Sequence, residues 1–366
     1  MKKFLSVLLA LCMGLALFAA CGDDSSGPIT SVPETNINPL TGYEKGPDYP
    51  QGLRPTAVMV GNRPEDFPQS GITSAAIIYE MLTEGGVPRM MAIYEDYREM
   101  PLVGPVRSTR DQFLHFAMPI NSMVAHIGTS RYAKDLLNYH TYQTVDGIYL
   151  GAAAFYYDTE RAKSKNSEFC WYTNWEMFGF GITELGLNTE GEYLPVFNFA
   201  PANAAKVTPT GGRATDISFS FSDYAEATFQ YNYETGLYYK TAYGAPQMDA
   251  ANNTQLAFQN VFILGTTIIP KPDGFCADFN FDSGVGYYFS NGAWQKVNWR
   301  KGDVFDQLVI TADGREIEVN CGTSYVAFLP NDRLTQIVIE ATEMPTTGNN
   351  STSTDDSALA QSNSAP

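Results

Sequence analysis

From about residue 214 onward, apolar and polar positions alternate. Ile217, Phe219 and Phe221 interleave with Ser218, Ser220 and Ser222, the period-two signature of a strand with one buried face. Segments 227–233 and 236–243 flank Glu234-Thr235-Gly236 and predict a hairpin. Short strands follow at 259–269, 286–289, 309–310 and 325–328, with turns at Ser290-Asn291-Gly292 and Ala312-Asp313-Gly314. The first half of the chain has a different texture. Continuous apolar runs at 55–61 and 121–128 predict buried strands. Runs at 76–83 and 89–94 surround Glu84-Gly85-Gly86-Val87-Pro88 and predict a strand pair joined by a turn. A helix over 72–82 competes, because Ile72, Ala75, Ala76 and Tyr79 recur at helical spacing, but the β-formers Ile77, Ile78 and Tyr79 favour the strand. Phe113, Phe116 and Ala117 place a helix within 108–118, and a shorter helix is predicted over 131–138.

This pattern predicts an α+β protein, with a mixed α/β N-terminal domain over 51–200 and a smaller β-rich C-terminal domain over 213–335. The boundary falls in 195–212, which carries three prolines and a Gly-Gly pair. Residues 21–50 are rich in Gly, Pro, Ser, Thr and Asp and read as a flexible tether. Residues 346–366 hold no aromatic residue and read as a disordered tail. No internal repeat of solenoid period is visible.

The first 20 residues change the picture of where the protein works. Lys2 and Lys3 precede an apolar stretch over 4–18, and Ala19 and Ala20 then lead to Cys21 and a polar segment. That is the build of an export signal. Phe18-Ala19-Ala20-Cys21 resembles a bacterial lipobox, which implies cleavage before Cys21, lipid on its sulfur and an extracytoplasmic protein held on the membrane. An ordinary secretory signal with an incidental Cys is the alternative. Beyond this signal no apolar run approaches membrane-spanning length. The net charge of −17 argues against a nucleic-acid partner, since neutralising phosphates requires clustered Lys and Arg. Cys170, Cys276 and Cys321 allow at most one internal disulfide.

Candidate chemistry is sparse. The chain has no G-x-S-x-G elbow, no phosphate-binding P-loop and no H-E-x-x-H, and no cofactor or metal is implied. The most suggestive stretch is Gly104-Pro105-Val106-Arg107-Ser108-Thr109-Arg110-Asp111. Ser108 and Asp111 read as a capping box opening a helix, with Arg107 just outside it and Arg110 in its first turn. Two guanidiniums there suit a carboxylate or phosphate; equally, they suit the protein's own Glu80, Glu84 or Asp111. Glu80 and Glu84 would lie on one face about 13 Å apart on a strand, or side by side on a helix. His126 ends an apolar run close to Ser130, as either an acid–base residue or a hydrogen-bonded core histidine. Tyr142, Tyr149, Tyr156, Tyr157, Trp171, Tyr172 and Trp175 crowd one segment, as cleft lining or as core.

Asn38-Pro39-Leu40-Thr41-Gly42, Arg54-Pro55-Thr56-Ala57-Val58-Met59-Val60, Pro68-Gln69-Ser70-Gly71, Tyr79-Glu80, Glu84-Gly85-Gly86, Arg89 and the Gly104–Arg110 stretch together resemble the DUF3048 family of YerB-type lipoproteins. Tyr231-Asn232-Tyr233-Glu234-Thr235, Met248-Asp249, Asn260-Val261-Phe262-Ile263-Leu264 and Gly322-Thr323-Ser324-Tyr325-Val326 resemble that family's C-terminal domain. The resemblance implies a two-domain, membrane-anchored, extracytoplasmic protein. The expected function is binding of a small anionic or cell-wall-derived ligand, or of an envelope protein partner, near Arg107, Arg110, Glu84, Arg89, His126 and Ser130. The alternative is an envelope hydrolase acting on a glycan or peptide through Glu80 or Glu84 with His126.

Overall fold

The structure, a computed structural model, describes residues 36–47 and 49–342. The export signal, Cys21 and the tail at 346–366 lie outside the described residues. The first half forms strands β1 (Thr56–Gly61), β2 (Ile77–Leu82), β3 (Pro88–Tyr94), β4 (Met123–His126) and β5 (Val145–Asp146). Its longer helices are α1 (Asp111–Ala117), α2 (Arg131–Tyr139) and α3 (Trp175–Leu185). The second half forms β6 (Asp216–Ser222), β7 (Ala225–Asn232), β8 (Leu237–Ala242), β9 (Asn260–Thr266) and β10 (Ser283–Ser290). It continues with β11 (Ala293–Arg300), β12 (Val309–Ala312), β13 (Arg315–Glu316), β14 (Ser324–Pro330) and β15 (Val338–Glu340).

The C-terminal region is β-rich, as its alternation predicts. Yet the strands of the two halves do not make separate sheets. One eleven-stranded sheet runs β13-β12-β11-β10-β9-β14-β2-β3-β1-β4-β5. At its centre β14 lies parallel to β2, with Ile77 opposite Ser324 and Met81 opposite Phe328. Both faces of this sheet are covered, which is why β1, β2, β3 and β9 are buried at every position and read as unbroken apolar runs. One face, bearing Val58, Ile78, Ala92, Ile263 and Tyr325, packs against a second sheet in which β8, β7, β6 and β15 are neighbours. That second sheet buries Ile217, Phe219, Phe221 and Phe229 and shows its alternate residues to solvent, so its strands keep a clean period of two. The other face, with Met59, Tyr79, Ile93, Phe262 and Phe328, packs against Phe113 and Phe116 of α1.

The β2–β3 pair is an antiparallel hairpin, and only a single 3₁₀ turn at Ile72–Ser74 survives of the competing helix. The expected hairpin turns hold as well. Asn291 and Gly292, and likewise Asp313 and Gly314, take positive φ in succession, which side chains other than Asn, Asp and Gly rarely adopt. Two expectations need correction. Residues 36–47 do not behave as tether: Leu40 is fully buried among Phe197, Val196 and their neighbours, and Ile37 bridges Glu44. Their polar composition hid one apolar anchor. Ser108 does not cap a helix either. Helix α1 starts at Asp111, with Arg110 at its N-cap and no side-chain cap bond.

Candidate functional site

The Gly104–Arg110 stretch is extended because backbone on both sides claims it. The Gly61 amide donates to the Pro105 carbonyl (3.0 Å) and the Arg107 amide to the Met59 carbonyl (2.8 Å), which pins the stretch to β1. On its other side the Ile127 amide donates to the Arg107 carbonyl (3.1 Å) and the Thr109 amide to the Gly128 carbonyl (3.0 Å). Gly104 must be glycine: a Cβ there would lie 2.6 Å from the Tyr172 ring and 2.8 Å from the Trp171 carbonyl. These constraints bring Arg107 and Arg110 close to Arg89, which enters from the start of β3.

Each of the outer arginines has a carboxylate. Arg110 makes a two-pronged pair with Glu84, Nε to Oε1 at 2.5 Å and Nη2 to Oε2 at 2.8 Å. Burial alone would raise the Glu84 carboxyl, but the Arg110 hydrogen bonds and charge outweigh it and hold the group below its usual value. Arg107 donates to Glu168 (2.5 Å), lies 3.7 Å from Asp66 and stacks on Phe169 at 4.8 Å from the ring centroid. Asp66 is itself pushed upward by burial, with Arg107 opposing.

Arg89 is different. It is only 5% exposed, and its Nη1 donates to the Ser108 carbonyl at 2.7 Å. Among the described residues no carboxylate lies within ion-pair distance of it, and its Nε and Nη2 have no hydrogen-bond acceptor. Burial, and then the Arg110 and Arg107 charges, lower its pKa. Its pKa is lowered to about 9, so the guanidinium stays cationic at neutral pH. A nearly buried cation with donors to spare is the chemical feature that a small anion would satisfy.

His126 and Ser130 sit beside this cluster without joining its chemistry. His126 is fully buried. Its Nδ1 pairs with the Gly128 carbonyl (2.9 Å) and its Nε2 with the Thr144 hydroxyl (2.8 Å), so both ring nitrogens are occupied. With Asp146 accepting from the Gly128 amide at 2.8 Å, the histidine anchors the loop that pairs with Thr109. Ser130 caps α2, accepting from the Ala133 amide at 3.1 Å.

The buried His126 and the partly buried His115 set a pH dependence. Burial lowers the His126 pKa, with Asp146 partly opposing. Burial, with the Lys301 and Lys271 charges, takes His115 down to about 4. Both rings are neutral when folded, whereas in the unfolded chain they protonate as pH falls below about 6.5. Stability is therefore expected to fall from about pH 6.5 downward, because the unfolded state takes up protons that the folded state refuses. Urea midpoints of the wild type and His115→Gln, measured from pH 7 to pH 4.5, check this. The wild type should lose more than the variant over that interval, and parallel, flat curves would contradict it.

Glu80, Glu84 and His126 are not gathered into one catalytic site. Glu80 leaves β2 toward the second sheet, where Lys240 Nζ (3.2 Å), the Tyr325 hydroxyl (2.7 Å) and Asn62 Nδ2 (2.5 Å) hold it, 1% exposed. Lys240 is fully buried, also donates to Gln247 (2.7 Å), and has its pKa lowered by that burial, with Glu80 opposing. The carboxylates occupy two separate networks, each with its own cation, and offer no acid–base pair around a common bond.

Sequence reasoning missed Glu168, Asp66 and Lys240, and named Asp249 only within a family motif, with no role. Only Lys240 left a local trace: it falls at an inward position of β8, in step with the buried Tyr238 and Ala242. The crowded aromatics divide. Tyr172 is core, whereas Tyr149, Tyr156 and Trp175 are exposed. Cys170, Cys276 and Cys321 are free thiols.

Residues 40–186 match the family described as "Protein of unknown function (DUF3048) N-terminal domain", and residues 216–326 match the DUF3048 C-terminal domain. A protein of Bacillus subtilis (strain 168) that bears the name "Putative lipoprotein YerB" is 27% identical over 336 residues, spanning 90% of this chain and 96% of that one. The crystal structure of the YerB protein from Bacillus subtilis has the same fold. It aligns with a TM-score of 0.73 at 24% identity, over 84% of this chain and 100% of that one.

Proposed function

The chain belongs to the DUF3048 family, and from that premise we propose that it is an extracytoplasmic lipoprotein, anchored through lipid on Cys21, that binds a small anion at Arg89 between Arg107 and Arg110. The export signal and the relative named as a lipoprotein support the anchor. The observation that carries the binding reading is Arg89, a cation with almost no exposure and no carboxylate partner among the described residues. A structural arginine at this depth spends its donors on the protein, on a carboxylate as Arg107 and Arg110 do or on three backbone carbonyls as Arg54 does, whereas Arg89 makes one such bond.

Two experiments test the two parts. In a bacterial host, Cys21→Ala should move the protein from the membrane fraction to the soluble fraction; a variant that stays on the membrane removes the lipid anchor from the account. For binding, sodium acetate, phosphate and sulfate are titrated into the full chain at constant ionic strength. At least one should raise the thermal midpoint saturably above chloride. If none exceeds chloride, the anion reading is discarded.

A further inference from the structure

We infer that the anion recognised at Arg89 is a monocarboxylate, not a phosphate or another dianion. This rests on the anion-binding reading and narrows it to one ligand class.

Local charge sets the first limit. Three guanidiniums, Arg89, Arg107 and Arg110, meet in the cluster, and the protein already supplies carboxylates to two of them: Glu84 on Arg110, and Glu168 with Asp66 on Arg107. Counted over these six groups alone, the cluster carries one uncompensated positive charge with Asp66 protonated and none with Asp66 ionised. A single negative charge on the ligand is therefore the most that this environment balances. A second would meet Glu84, whose side chain is mostly buried, as a like charge that is little screened, and the more exposed Glu168 as a weaker one.

Shape points the same way. Arg89 spends Nη1 on the Ser108 carbonyl, which leaves the Nε–Nη2 edge of its fork as the unspent donor pair. That edge is planar and takes two oxygens of one group, so it satisfies a carboxylate fully but leaves the further oxygens of a phosphate without a donor. Arg107 and Arg110 cannot complete a three-armed phosphate cradle, because their own forks are engaged with Glu168 and Glu84. Recruiting them would require breaking two ion pairs.

The test uses the full chain in mild detergent with matched probes: acetate and benzoate, their neutral isosteres acetamide and benzamide, and inorganic phosphate and sulfate, at constant ionic strength. The acids should raise the thermal midpoint saturably, by roughly 1–3 °C at ten times their Kd for a chain of this size. The amides should not, and the dianions should do less than the acids. Arg89→Lys keeps a charge but loses the fork, and should abolish the shift. The acid–amide comparison runs on the wild type, so it decides the matter even where the variant folds poorly. Phosphate or sulfate equalling or exceeding the acids overturns the monocarboxylate inference and leaves the anion reading standing. Equal shifts from acids and amides overturn it too, as does a folded Arg89→Lys that keeps the full shift. No response to any anion removes both readings.

Discussion

Replacing Lys240 with methionine is expected to destabilise the folded chain by about 3–5 kcal/mol, because it leaves the Glu80 carboxylate buried without its cation. Methionine keeps most of the volume of the lysine stem, so the loss reports charge more than cavity. Lys240 comes from β8 and Glu80 from β2, and the ring of bonds around them draws in Asn62, Gln247 and Tyr325. Asn62 also accepts from Gln69 and Gln247, both at 3.0 Å, so the network ties the first half of the chain to the second across the space between the two sheets. The double variant Glu80→Leu with Lys240→Met should recover most of the loss, since removing both charges also removes the desolvation cost that each carried. Urea unfolding of the four forms gives the coupling energy. A single variant as stable as the wild type, or a double variant no better than the single, would show that the pair is not the joint described here.

Asp249→Ala should cost about 4 kcal/mol, nearly as much, for a different reason. The Asp249 side chain is fully buried and accepts four hydrogen bonds: from the Gly71, Thr73 and Ala251 amides at 2.8 Å and from the Thr73 hydroxyl at 2.7 Å. Alanine leaves the buried Gly71 amide and the partly buried Thr73 and Ala251 donors without their acceptor, and each lost charge-assisted bond is worth about 1–3 kcal/mol. Asn in its place offers one oxygen and turns an NH₂ toward the remaining donors, so it should recover at most about half of the loss. The effect should reach the arginine cluster. Ser70, beside the turn that Asp249 holds, exchanges backbone bonds with Gly104 at 2.9 and 3.2 Å, and Gly104 opens the stretch that carries Arg107 and Arg110. Anion-induced stabilisation should therefore weaken in Asp249→Asn even where the variant stays folded. Urea unfolding measures the stability loss, and an Asp249→Ala variant within about 1 kcal/mol of the wild type would mean that the turn is held by other means.

The period-two serines of β6, the hairpin residues of β7–β8 and the paired turn residues at 291–292 and 313–314 each announce their structure through immediate neighbours, and each is observed as expected. Ser108 misleads for an instructive reason. Its spacing to Asp111 satisfies a local capping rule, but β1 and the 127–130 segment compete for the same backbone and keep it extended until Arg110. Local preference loses there to ladder bonds with Met59, Ile127 and Gly128, all distant in sequence. The Glu84–Arg110 pair is legible in the chain, because each residue is a candidate partner for the other. Glu168 is not, since nothing near it in the chain hints at Arg107.

The chain's own pattern marked β1 to β4, β6 to β9 and β14 as strands, though not β11, and set where the tight turns fall, which face of β6 turns inward and that arginines and acids could meet near 84–110. Those properties depend on residues a few positions apart, and periodicity encodes them directly. Only the folded molecule decided that β2 lies against β14, that Glu80 faces a buried lysine and that, among the described residues, Arg89 is the arginine of the three without a carboxylate. Such facts depend on strand order and on which donors are used up by distant acceptors. Both are set by packing between residues as far apart as Glu80 and Tyr325, separated by 245 positions, where local patterning carries no information.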